Sequence, residues 1–446
     1  MARASLVKRL ATPSQWRSFL IYDRNIYLLL LFTLGKGFQL SIAAVSVNLY
    51  VASLGYGIDF VGVVAAMPAL GSLLAAVPIG MIADRIGRKP LLVWSGFLNP
   101  LSLVAIGLST SAPFLIGASL LNGFLSSAYW VTNLPILTES TSEDQRVGVL
   151  ALNNFLLLGV GALGGLIGGV VPEFVSSIVH QPADSVIPLR FSVLAAALVV
   201  FIPAIPLVFL REERRAKLRQ RPTPEATPDL AAAGAEASVV DVPDNGVPNG
   251  VPMRRGAISS LFAKLLVPDM LFTTGEGAVV QLLQVYFVLR FGIAVGTVGV
   301  IYTVAGLVGG ATSLAAPRFV RRFGQLRMAT TMQYITAPVM LVIGFSPLFP
   351  IAAAAEFARQ MLRGLFEPTY AAFAMGRVSS RYRATLSGFY SVTWSIGYSI
   401  GPITAGFLQE HVNLSAGFIV GPVCLLISAS LLRLFFGSGE DAPSLP

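Results

Sequence analysis

The sequence predicts an all-α integral membrane protein with about twelve transmembrane helices in two pseudo-symmetric six-helix halves. Three observations carry that expectation: an apolar, charge-poor composition, a series of apolar runs of bilayer length, and a repeat relating the two halves. Of 446 residues, 54% are hydrophobic and only 12% charged, whereas soluble domains run near a quarter charged. Between the clustered charges lie runs of roughly 20 apolar residues, enough to cross a ~30 Å hydrocarbon core.

Runs bounded by charges or by Pro and Gly give twelve spans. They fall near 26–50, 60–83, 90–109, 113–137, 147–171, 188–210, 268–290, 294–316, 328–346, 350–376, 385–408 and 414–436. Residues 1–25 form an N-terminal segment in which Leu6, Leu10, Phe19 and Leu20 alternate with cations, a pattern suited to an amphipathic interfacial helix. The first apolar run is too long for a signal-peptide core and lacks a small-residue cleavage site, so it reads as a retained span. The N-terminal half then covers 26–210 and the C-terminal half 268–437, with a short tail at 438–446. Between the halves, 211–267 opens on charges and turns rich in Pro, Ala, Gly and Asp, the composition of a cytoplasmic linker that is flexible in its middle and has room for short interfacial helices at its ends.

With the N-terminus inside, 26 of the 31 Lys and Arg residues lie on the cytoplasmic side, and only Arg190 and Arg290 lie outside. Cytoplasmic loops retain such cations, so both termini are expected in the cytoplasm of a multi-pass cell-membrane protein. The net charge of +9 then follows from topology and anionic lipid, not from nucleic acid. One cysteine, Cys424, and two loop histidines, His180 and His411, leave no disulfide, metal site or cofactor set. There is no nucleophile–base constellation and no phosphate loop, so a membrane enzyme or receptor is a remote alternative.

A shift of 237 residues lays Gly80-Met-Ile-Ala-Asp84-Arg85-Ile86-Gly87 on Pro317-Arg-Phe-Val-Arg321-Arg322-Phe323-Gly324, and Arg146 on Arg383. Near the first spans, a shift of 240 lays Gly35-Lys36-Gly37 on Gly275-Glu276-Gly277. Six spans per half make the repeats parallel, a plan that places solute between the halves near the midplane. The loop Gly80-x-x-x-Asp84-Arg85-x-Gly87-Arg88-Lys89, between spans 2 and 3, resembles the signature of the major facilitator superfamily, and the likeness extends over nearly the whole chain. The resemblance implies a monomeric transporter of small-molecule solutes with a cytoplasmic gate at this loop. There the aspartate meets the start of span 11, and the basic residues pair with neighbouring acids such as Glu139, Glu143 and Asp144. The second copy has Arg321 where the acid belongs.

Ionisable side chains inside spans are costly unless paired or wet, and so mark function. Lys36 lies at mid-depth in span 1, and Glu276 at similar depth in the repeat-related span 7. Span 10 carries Glu356, Arg359, Arg363 and Glu367, spaced to share one helical face. These six residues are candidates for the substrate or proton pathway. A purely structural ion-pair seam is the competing reading. Burial favours a neutral carboxyl and a nearby cation the charged one, so protons are the expected coupling ion without a chosen carrier.

Gly164, Gly165, Gly168 and Gly169 in span 5 and Gly397, Gly401 and Pro402 in span 11 resemble the superfamily's antiporter signature and form a candidate helix-packing gate. In span 4, Ser119 stands where drug/proton antiporters carry arginine. Proton-coupled efflux of a small amphipathic or organic solute is the leading expectation, and proton-driven uptake of a sugar or organic anion the alternative.

Overall fold

A computed structural model describes residues 23–141, 143–210, 255–378 and 380–437. Its spanning helices are numbered α1 to α12. The first half holds α1 (Arg24–Ser53), α2 (Ile58–Ile86), α3 (Arg88–Leu108), α4 (Ala112–Glu139), α5 (Gly148–Val179) and α6 (Val186–Phe209). The second holds α7 (Ser259–Phe291), α8 (Val295–Ser313), α9 (Gln325–Phe345), α10 (Phe349–Gly376), α11 (Ser380–His411) and α12 (Ala416–Phe436). Among the described residues, ten of these are apolar enough to cross a membrane by composition alone. The two that fall short, α10 and α11, are diluted by ions, hydroxyls and glycines, which only a protein-facing helix can carry.

The surface is inside-out. Leu314, Leu434, Phe174 and Leu108 are among many large apolar side chains left 62–82% exposed, while Lys36, Glu276, Glu356 and Arg359 are at most 3% exposed. Lipid accepts the former, and the latter need partners.

The helix leading into α7 starts at Arg255, earlier than the linker's expected end at 267. Its first turns are amphipathic, not continuously apolar: Phe262 and Leu265 are buried while Ser260 and Lys264 face out, a pattern that a search for apolar runs passes over. Two spans are broken. Within α5, a π turn (Phe155–Val160) and a 3₁₀ turn (Gly161–Leu163) interrupt the ladder. In α7, the helix stops at Val280 and resumes at Leu283.

Packing repeats between the halves. In the first, α1 packs on α5 and α6, α3 on α4 and α6, and α2 on α4. In the second, α7 packs on α11 and α12, α9 on α10 and α12, and α8 on α10. The halves meet along two matching seams, α2 against α11 and α5 against α8. Even the turns match: Gly87 (φ 94°) and Gly324 (φ 79°) both end a helix in a backbone region that side chains resist.

Candidate functional site

The two Gly-x-Gly triplets are built alike. A Cβ on Gly35 would strike Pro203 of α6, and one on Gly37 the backbone of Leu157 and Gly161 in α5. In the other half, a Cβ on Gly275 would meet Leu425 and Gly421 of α12, and one on Gly277 Tyr398 and Gly397 of α11. Each triplet is therefore wedged between its fifth and sixth neighbours, and the middle side chain turns towards the rest of its own half.

In the C-terminal half that side chain enters an ion cluster. Glu276 Oε2 accepts from Arg359 Nη1 at 2.6 Å. Glu356, one turn from Arg359 on α10, accepts from its Nε and Nη2, both at 2.7 Å. Further along the same face, Arg363 Nε lies 3.7 Å from Glu276 Oε2 and donates to Glu367 Oε1 at 2.8 Å. The stripe grades from dry to open: side-chain exposure is 0% at Arg359, 25% at Arg363 and 52% at Glu367. Three carboxylates face two guanidiniums, so the cluster carries one excess negative charge when all are ionised. Glu276 Oε1 is buried with no hydrogen-bond partner among the described residues.

In the N-terminal half, Lys36 enters an amide network. Its Nζ donates to Asn99 Oδ1 at 2.8 Å, an oxygen that also accepts from Gln39 Nε2 at 2.8 Å. Asn99 Nδ2 donates to the Asn122 carbonyl, and Asn122 Nδ2 to Ser102 Oγ. The nearest aromatic face is Tyr129, 6.0 Å from Nζ. No carboxylate lies within ion-pair distance of Lys36 among the described residues. Lys36 and Glu276 thus do not pair. Repeat position gives matching depth, but each side chain finds its partners within its own half. Gln39 Oε1 and Ser119 Oγ are buried with no hydrogen-bond partner among the described residues.

The antiporter-like glycines divide into two faces. Gly164 and Gly168 lie against Phe38 and Ile42 of α1, inside their own half, while Gly165 and Gly169 lie against Gly299 and Gly296 of α8. Likewise Gly397 and Gly401 pack on Thr273, Thr274 and Ala278 of α7, and Pro402 and Gly406 on Gly62 of α2. At the loop between α2 and α3, Arg88 pairs with Glu139, as the sequence suggested. Gly80 stands in open space, and Asp84, Arg85 and Lys89 line the same end. The expected meeting of Asp84 with the start of α11 falls at 379–381, outside the described side chains, as do those of Glu143 and Asp144.

Sequence reasoning missed Asn99, and it missed Asp269, an acid in α7 whose Oδ2 accepts from Thr393 of α11. A polar amide or acid amid an apolar run was the available signal.

The profile of the Major Facilitator Superfamily matches residues 28–402 and, again, 265–446. The uncharacterized MFS-type transporter YceJ of Bacillus subtilis (strain 168) is 21% identical over 391 residues, covering 86% of this chain and 88% of that protein. The synaptic vesicular amine transporter of Homo sapiens is 32% identical over 170 residues, 37% of this chain and 30% of that one. Among solved structures, a bacterial homolog of the human lysosomal transporter Spinster, inward-facing and occupied, has a TM-score of 0.66 at 15% identity, with 95% and 97% of the two chains covered. The nucleoside transporter NupG has a TM-score of 0.66 at 15% identity, with 94% and 99% covered. At such identities the structural likeness is one of fold. Helix order, mirrored packing and a profile spanning both halves agree, and the chain belongs to the Major Facilitator Superfamily.

Proposed function

We propose that the chain is a secondary active transporter that exports a small amphipathic or organic solute in exchange for protons, by alternating access. The observation that carries this reading is the buried Glu356–Arg359–Glu276 group, with its unpartnered Glu276 oxygen. Buried charges this costly are retained where they work, and this group changes net charge by taking up one proton. The gradient of exposure along α10 gives that proton a wet approach through Arg363 and Glu367.

The cation bias supports a cytoplasmic location for both termini and the Asp84 loop. We read the tight glycine seams as lying towards the outer end and the conformation as inward-facing, because at the opposite end Gly80 meets nothing and the Glu367 side chain is half exposed. Binding a proton from one side and releasing it to the other requires that Glu276 meet different surroundings in the two access states.

Glu276→Gln keeps the size of the side chain and removes its proton chemistry. In proteoliposomes it should abolish solute movement driven by a pH gradient while leaving exchange at equal pH largely intact. Full-rate pH-driven movement in this variant would move the coupling site elsewhere, with Glu356 and Glu367 next in line. Lys36 supports a second reading, uptake of an organic anion: it is a 2%-exposed cation held only by amide oxygen, and a solute carboxylate would be a better partner.

A further inference from the structure

Neither α2 nor α8 caps its own outer end. Their N-cap residues are Gly57 and Ala294, which have no side-chain acceptor to offer the orphan N–H groups of the first turn. In both cases the acceptor comes from the other half of the protein. Glu173, near the end of α5, accepts from the Gly296 N–H of α8 at 2.9 Å through Oε1. Glu410, at the end of α11, accepts from the Ile58 N–H of α2 at 2.7 Å through Oε2.

These two contacts correspond: the carboxylates coincide under the repeat and their donors lie one position apart in the first turn of equivalent helices. The 237-residue shift that superposes the halves carries Glu173 onto Glu410, Gly169 onto Gly406 and Gly62 onto Gly299. Beneath each carboxylate, the same glycine crossing brings the helices together: Gly62 against Gly406 in one seam, Gly299 against Gly169 in the other. Glycine also lines both seats. A Cβ on Gly296 would collide with the Glu173 carboxylate, and one on Gly57 would press on that of Glu410. Asp59 sits beside the second seat, but its Oδ1 is engaged by the neighbouring Phe60 N–H, so the inter-half bond falls to Glu410.

We infer that Glu173 and Glu410 are paired gating residues, two carboxylate clasps that hold the outer end shut by capping helix N-termini across the inter-half boundary. The inference rests on the alternating-access reading above. An anion at a helix N-terminus is favoured by the aligned backbone dipoles and by direct N–H bonding. Because donor and acceptor belong to different halves, this stabilisation exists only while the outer end is closed. Opening it leaves two carboxylates and two uncapped helix ends to water. The clasps therefore bias the resting population inward without contributing to either half's own fold.

The test uses the full chain in lipid nanodiscs with Cys424→Ala, and nitroxide labels at Gln181→Cys and Leu348→Cys to report the outer distance between halves. Removing one clasp by Glu173→Ala or Glu410→Ala should raise the outward-open population about two- to fivefold, and removing both should raise it about four- to twenty-fivefold, as two independent dipole contacts would. Gly296→Ala, which leaves both glutamates in place but blocks one seat, should match Glu173→Ala. That variant keeps the test valid if the double substitution folds poorly. Distance distributions unchanged in both Glu173→Ala and Glu410→Ala would overturn the clasps. Solute flux in the same samples separates the two claims: unchanged distances with intact pH-driven transport sink the clasps alone, and shifted distances with no transport sink only the transport reading.

Discussion

Lys36 and Glu276 hold the same place in the two halves and keep opposite company. Both sit between wedging glycines, both are almost wholly buried, and both project from the first helix of their repeat. Yet Lys36 ends in neutral amides, while Glu276 ends in an array of guanidiniums and carboxylates. Packing has been kept between the repeats and chemistry has not. A duplicated scaffold holds its shape through backbone contacts, which tolerate few side chains, and so leaves the one projecting position free to differ. The N-terminal half offers a fixed cation and hydrogen bonds, and the C-terminal half offers a charge that can change.

The largest expected effect that tests this contrast is on stability. Arg359→Leu would strand Glu276 and Glu356 in a dry setting, and removing one partner of a buried ionic group typically costs about 3–5 kcal/mol. Lys36→Met should cost far less, about 1 kcal/mol, because Asn99 Oδ1 keeps Gln39 as a donor. Thermal unfolding in one detergent compares them. Equal losses would mean that the two halves are not chemically distinct in the way described.

A smaller difference separates the matching glycines. At Gly37 an added Cβ would overlap the backbone of Leu157 and Gly161, whereas at Gly277 it would come within 3.1 Å of Tyr398 Cα and 3.2 Å of the Gly397 carbonyl. Overpacking costs roughly 1–3 kcal/mol, so Gly37→Ala should lie at the upper end and Gly277→Ala at the lower. The reverse order would show that α5 yields more than α11, as its broken ladder would allow, and that local give rather than the tightness of contact sets the cost.

The smallest expected effect is none. Replacing 222–250 with a Gly/Ser tether of similar length should leave transport unchanged, since the seams between α2 and α11 and between α5 and α8 join the halves without it. A transport loss in correctly inserted protein would give that segment a role of its own.

The spans, the repeat and the shared face of Glu356, Arg359, Arg363 and Glu367 were legible because each rests on periodicity along one helix. What joins helices was not. Matching depth of Lys36 and Glu276 along α1 and α7 is legible, but depth says nothing about the direction a side chain takes around its helix, and Glu276 pairs with Arg359. A short helix at the linker's end was legible, but its continuity with α7 was not, because its first turns are amphipathic. Glu173 and Glu410 escaped for another reason: an acid at the end of a span resembles ordinary interface chemistry. Their coincidence under the 237-residue shift was nonetheless present in the chain, and a comparison of span ends would have found it.

The π turn of α5 bears on how this chain can change length. Its hydrogen bonds reach one residue further than those of an α-helix, so Phe155–Val160 holds one residue more than a regular ladder needs. Deleting a residue there would restore an ordinary turn and leave the faces above and below aligned as they are. The same deletion in the middle of α11, helical without such a turn from Ser380 to His411, would rotate everything beyond it by about 100° and carry Pro402 and Gly406 away from α2. Single-residue deletions should therefore be tolerated at this turn of the fifth helix and excluded from the middle of the eleventh, although the two hold equivalent places in the repeat.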